Sequence, residues 1–168
     1  MAAENINNNS NPLLDKRLIN AFIEGVVKTL STMASTEVTT GKASIEAQFS
    51  AKGEIAGMVG MVAGPMKGIM TISYPKAGII KILENMLGET YTEINAEVKD
   101  AVGELTNMIY GSAKTSLNNL GYNFEMAIPS VIIGAFEISK LHNGATLIIP
   151  FNLKTGDVFY VEITVQPN

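Results

Sequence analysis

Apolar residues fall at Leu18, Ile19, Phe22, Ile23, Val26, Val27, Leu30 and Met33. That spacing follows one face of a helix and predicts one over 18–33, with Val27 on its core face. Ala43–Ser50 alternates instead, with Ile45, Ala47 and Phe49 against Ser44, Glu46 and Gln48. It reads as a strand with one wet face. Glu54–Val62 and Met66–Tyr74 read as two further strands, and Gly64-Pro65 as the turn between them. Pro75 opens a helix that carries Ile79, Ile80, Leu83, Met86 and Leu87 and stops at Gly88. Asn95 caps another, with Glu97 in its first turn, running to about Asn119 before Gly121. Strands follow near Phe124–Ile133, Ala145–Phe151 and Val158–Val165.

This order gives two pseudo-equivalent halves, each a helix plus three strands. Strands grouped apart from helices argue for an α+β fold rather than alternating βαβ units. The expected form is a continuous, antiparallel-rich sheet flanked by long helices. The last strand could pair with a second copy if it lies at a sheet edge.

The helix over Asp100–Lys114, "DAVGELTNMIYGSAK", carries residues that a helix disfavours. With Asp100 at zero, Glu104, Asn107, Gly111 and Lys114 fall at roughly +40°, −20°, +20° and −40° around the axis. They form one polar stripe, with Gly103 at its flank. Ala101, Val102, Leu105, Met108, Ile109 and Ser112 lie on the other side. Most polar stripes are only solvated faces. An interior glycine, however, costs about 0.5–1 kcal/mol relative to alanine. Gly111 in the stripe makes sense if a bulky group must come close there. The letters alone prove little, because Glu-x-x-Asn recurs at Glu4 and Asn7 in the polar start of the chain.

Composition narrows the chemistry. The 168 residues suit one domain, expected over 13–168 after a disordered, Asn-rich tail at 1–12. The absence of cysteine removes disulfides and thiolate metal sites. The one histidine, His142, precedes Asn143-Gly144 and reads as a turn residue, so a His-rich metal site or a Ser-His triad is not expected. The net charge of −4 argues against a nucleic-acid partner. No apolar run approaches the roughly 18 residues that span a bilayer, and the start lacks the pattern of a signal peptide, so a cytoplasmic protein is expected. The nine methionines read as core filler. Gly57, Gly60, Gly64 and Gly68 match no phosphate-loop spacing. Glu137 fits either a structural or a rim role.

Asn107 has no useful pKa, but its carboxamide can donate and accept at once and so orient a water. Orientation alone is worthwhile where the bond to be broken is already reactive, as in phosphoryl transfer. Glu104 would repel phosphate, so it is better used to grip a cation on a partner.

"EVKDAVGELTNMIYGSAK" (Glu97–Lys114) resembles the signature helix of the CheC/CheX/FliY family of chemotaxis phosphatases, whose pattern falls here on Asp100, Glu104 and Asn107. "FIEGVVKTLSTM" (Phe22–Met33), Gly57–Glu89 with its terminal "MLGE", and "AIPSVIIG" (Ala127–Gly134) are similar to other parts of the same family. The resemblance covers roughly residues 13–165 and is closest to the CheX branch. It implies hydrolysis of the aspartyl-phosphate of a phosphorylated CheY-type response regulator. Asn107 would orient the attacking water, and Glu104 would anchor the regulator's lysine. Asp100, Gly103, Gly111 and Lys114 would form the partner-binding surface around them. No cofactor of its own is implied, since the Mg²⁺ would belong to the regulator. A homodimer is implied as well. The pair equivalent to Glu104 and Asn107 in the first helix is Glu24 and Val27, and valine cannot orient water, so one site per chain is expected. The rival is a non-catalytic docking module for a regulator or a flagellar-switch component.

Overall fold

The computed structural model describes residues 11–47, 51–136 and 145–167. The start of the chain up to residue 10, the end of the expected strand at 48–50, Glu137 and His142 lie outside the described residues.

A 3₁₀ turn at Pro12–Leu14 leads into helix α1 (Lys16–Met33). Strands β1 (Val38–Thr40), β2 (Ser44–Glu46), β3 (Ile55–Ala63) and β4 (Met66–Tyr74) follow. Helices α2 (Lys76–Leu87) and α3 (Ala96–Asn119) come next, then β5 (Ser130–Ile133), β6 (Thr146–Leu153) and β7 (Val158–Pro167). Local signals set most of these limits. Gly64, at φ +58°, turns β3 into β4. Gly88, at φ +72°, ends α2. Asn95 caps α3, its side chain accepting from the Val98 amide at 2.9 Å.

The described strands form one antiparallel sheet in the order β1-β6-β7-β4-β3-β5, with β2 also pairing β6. The expected α+β fold and continuous sheet are thus observed. The order reads alike from both ends. Each half supplies two long strands and sends a short one to the edge of the other half: β1 to β6, and β5 to β3.

Four expectations need correction. Strand β7 lies in the centre of the sheet, paired on both sides by β4 and β6, so it has no free edge to offer a second copy. Among its described residues the 43–50 run yields the three-residue β2, and Ile45 and Ala47 are exposed. Ile45 stands opposite Leu147, which packs in the core, yet it is itself 43% exposed on the edge strand. The run from Phe124 forms a strand only from Ser130, because Pro129 has no amide to donate to a ladder. Val27 is 37% exposed rather than core; it lies at the lip of a groove between α1 and α3.

One face of the sheet packs on the helices through Val59, Met70, Ile72, Ile149, Val161 and Ile163, all fully buried. The other face carries a polar patch at its centre. Thr71, Ser73, Glu162 and Thr164 are buried there, and the Ser73 hydroxyl donates to Glu162 Oε1 at 2.8 Å. Thr71 Oγ1, Glu162 Oε2 and Thr164 Oγ1 have no hydrogen-bond partner among the described residues. Burial raises the Glu162 carboxyl to about 8 against the lowering effects of Ser73 and Lys52.

Candidate functional site

Helix α3 is fixed against rotation. Val98, Val102, Leu105, Ile109, Ala113 and Leu117 are fully buried along its underside. Thr106 is buried with them, its hydroxyl donating to the Val102 carbonyl at 2.7 Å. It sits so closely over β3 that a Cβ added at Gly57 would lie 1.9 Å from Thr106 Oγ1. Gly57 therefore lets the helix settle onto the sheet, and the polar stripe must face outward. The sequence reading missed Thr106 because a threonine looks like a surface letter; a glycine inside a strand was the available signal of close approach.

Asp100, Glu104 and Asn107 are all exposed on the outward face. Glu104 and Asn107 stand one turn apart, as near neighbours on the helix surface. No hydrogen bond or ion pair to another described residue engages either side chain. The sheet and helix thus hold a carboxylate and a carboxamide toward solvent with both free to meet a partner.

The glycines divide. Beside Gly111 no atom lies within 4 Å of the position a Cβ would take, so the helix is open there. At Gly103 such a Cβ would touch Val131 at 3.5 Å, an ordinary contact, so Gly103 faces β5 rather than open space. Lys114 lies half-buried on the same flank, its Nζ 2.9 Å from Met126 Sδ. The stripe is therefore drawn together at Asp100, Glu104, Asn107 and Gly111, while Gly103 and Lys114 form its border with the segment leading into β5.

On the opposite border lies an open groove of about 990 Å³ between α1 and α3. Glu24, Val27, Met108 and Gly111 are among its lining residues. The two helices meet closely at Gly25, where a Cβ would come within 3.1 Å of the Ile109 carbonyl. At one offset their buried positions coincide: Leu18 with Val98, Phe22 with Val102, Gly25 with Leu105, Val26 with Thr106, Thr29 with Ile109 and Leu30 with Tyr110. That offset sets Glu24 against Glu104 and Val27 against Asn107. The first helix keeps the acid and lacks the carboxamide.

The family model "Chemotaxis phosphatase CheX" matches residues 55–152. The chain belongs to the CheX family of chemotaxis phosphatases. A solved CheC-like superfamily protein from Shewanella sp. PV-4 is 37% identical, with a TM-score of 0.84, covering 91% of this chain and 99% of that one. The CheY-P phosphatase CheX of Thermotoga maritima is 25% identical over 154 residues, which is 91% of this chain and 98% of that protein. The CheX of a solved CheX-CheY-BeF3-Mg²⁺ complex from Borrelia burgdorferi is also 25% identical, with a TM-score of 0.73, covering 89% of this chain and 97% of that one. The resemblance of the signature helix thus extends to the fold and to the phosphatase class. No described helix of this CheX-family chain is long and apolar enough to cross a membrane.

Proposed function

We propose that the chain hydrolyses the aspartyl-phosphate of a CheY-type response regulator, with Asn107 placing the attacking water. The observation that carries this is the pairing of exposed Glu104 and Asn107 on a helix whose other side is locked onto the sheet. The Asn107 carboxamide would hold the water in line with phosphorus. The water oxygen bonds to phosphorus, the bond to the aspartyl oxygen breaks, and the carboxylate leaves as a stable anion. Asn107 takes no proton, so the water's proton departs with the phosphate product. Glu104 would pair with the regulator's lysine and fix the approach. Asp100, Gly103, Gly111 and Lys114 surround this contact as the partner-binding surface, with Gly111 leaving room for the regulator's backbone.

Among the described residues no group of three or more acidic or histidine side chains could hold a metal, and the Mg²⁺ of this chemistry is assigned to the regulator. The relative from Borrelia burgdorferi was solved together with CheY, which supports a regulator as partner. A homodimer joined through the sheet would use the β5 edge or the β1/β2 edge, since β7 is central. Light scattering should then give a mass near twice 18.0 kDa.

The deciding experiment is phosphate release from phosphorylated CheY with wild type and with Asn107→Ala. The variant is expected to lose acceleration while still binding the regulator. Equal activity of the two removes the mechanism. Binding by the wild type without any acceleration would make the chain a docking module.

A further inference from the structure

Beside the stripe runs a segment that this mechanism does not use. Phe124–Pro129 belongs to no strand, and its contacts step back along α3: Asn118 holds Phe124, Lys114 touches Met126, and Val131 just beyond the segment faces Gly103. Its first two residues are pinned from both sides. Asn118 Nδ2 donates to the Phe124 carbonyl at 3.1 Å, and the Tyr110 hydroxyl donates to the Glu125 carbonyl at 2.9 Å. The Glu125 amide donates to the Val62 carbonyl at 2.9 Å. Phe124 is buried and Ala127 packs on the core. Between and beyond them, Met126 is 79% exposed and Ile128 is 90% exposed.

Single exposed apolar residues are ordinary. Here two large ones stand two residues apart on one segment, on either side of Ala127, which packs on the core. Among the described residues no packing contact buries either side chain, and each would be better hidden. They form a ridge that meets the stripe at Lys114, whose Nζ rests on the Met126 sulfur.

We infer that Met126 and Ile128 are an apolar contact for the response regulator, made next to its phosphorylated aspartate and setting affinity rather than rate. This rests on the function proposed above. The occupant follows from continuity. The ridge lies along α3 from Lys114 toward Gly103, so a body seated on Asn107 also covers the ridge. A second copy of the chain seated there would cover Asn107 and bar the phosphoryl group. Lys114 adds a positive charge at the junction, complementary to an acidic, phosphoryl-bearing pocket.

The test is a Met126→Ser/Ile128→Ser double variant, assayed for phosphate release over a range of phosphorylated CheY concentrations. The KM is expected to rise about tenfold or more, with kcat held within about twofold. The melting temperature should not change, because both side chains are exposed. An unchanged KM overturns the inference, and so does a variant that halves the mass in light scattering while KM stays fixed, since the ridge then joins two copies. If the wild type accelerates nothing, the phosphatase reading falls on its own, and binding of beryllofluoride-activated CheY reads the ridge separately. A roughly tenfold weaker Kd in the variant supports it; an equal Kd, or no binding by the wild type, overturns it.

Discussion

Helices α1 and α3 occupy equivalent places in the two halves and bury matching positions, yet they face the solvent differently. On α3 the outward positions are Glu104, Asn107, Gly111 and Lys114; the same places on α1 hold Glu24, Val27 and Ser31, and the fourth falls past the end of α1 on buried Ala34. The flanks differ too. After α3 the chain turns Met126 and Ile128 outward, whereas after α1 it turns Ala34 and Thr36 inward. Packing alone therefore explains neither set of surface residues, since both helices satisfy the same core. What separates them is a carboxamide, a gap beside a glycine and a lysine on α3, and an apolar ridge on the segment that follows it.

The sharpest way to break this contrast is to make α3 copy α1. Asn107→Val keeps the size and the exposed position but removes both hydrogen-bonding groups. It is expected to lower kcat for phosphate release about a hundredfold or more, as misplacement of a reacting group does. The reverse change, Val27→Asn, in that background should restore nothing, because the α1 surface lacks Lys114, the ridge and the gap at Gly111. Recovery of activity would show that the pair alone suffices and that the surroundings of α3 are incidental.

Glu104 tests the part that the helices share. Glu104→Ala should weaken both binding and turnover, by about ten- to a hundredfold, the range for a charge-assisted hydrogen bond. Glu24→Ala on α1 should change neither. Titration calorimetry with beryllofluoride-activated CheY, alongside the release assay, separates the two effects. Equal behaviour of the two variants would place the docking surface across both helices.

The three helices were legible in the sequence because their limits are local. Asn95 caps α3 with its own side chain, and Gly88 and Gly121 stop α2 and α3 in left-handed conformations. The β3–β4 hairpin was legible for the same reason at Gly64. The place of β7 was not, because strand order depends on pairings between residues far apart in the chain. Val161 reads as an ordinary strand residue whether β7 is central or at an edge. Val27 follows the apolar spacing of α1 faithfully and still emerges at the lip of a groove, since periodicity gives a direction and not what covers it. The outward stripe was legible from helix geometry, but its borders at Val131 and Met126 come from a segment that the sequence reading placed in a strand.

The half that carries the stripe also carries Glu162, so its pH response must be separated from that of the site. The folded carboxyl is raised to about 8, against 4.5 when unfolded. The folded state thus holds a proton that the unfolded state has released. The stability that Glu162 contributes is fully present below pH 4.5 and is lost as pH rises toward 8, by at most about 1.4 kcal/mol per pH unit. Glu162→Gln should flatten that decline. Urea midpoints at pH 5, 6.5 and 8 measure it, and a wild-type midpoint that rises with pH over this range would contradict the assignment. Asp15 does not confuse the window, because its carboxyl, held down to about 2 chiefly by the bond from Arg17, is ionised throughout.

The smallest effect decides the role of the gap. Gly111 has open space where a side chain would stand, so Gly111→Ala creates no clash in the free protein. Alanine should then stabilise α3 by about 0.5–1 kcal/mol through helix propensity alone. The equivalent residue on α1, Ser31, already bears a side chain, which shows that the helix geometry tolerates one. If the gap serves the partner's approach, the same substitution that raises the urea midpoint should also raise KM for phosphorylated CheY. A more stable variant with unchanged KM would mean that the glycine answers to neither packing nor docking. The contrast between the helices would then rest on Asn107, Lys114 and the ridge without it.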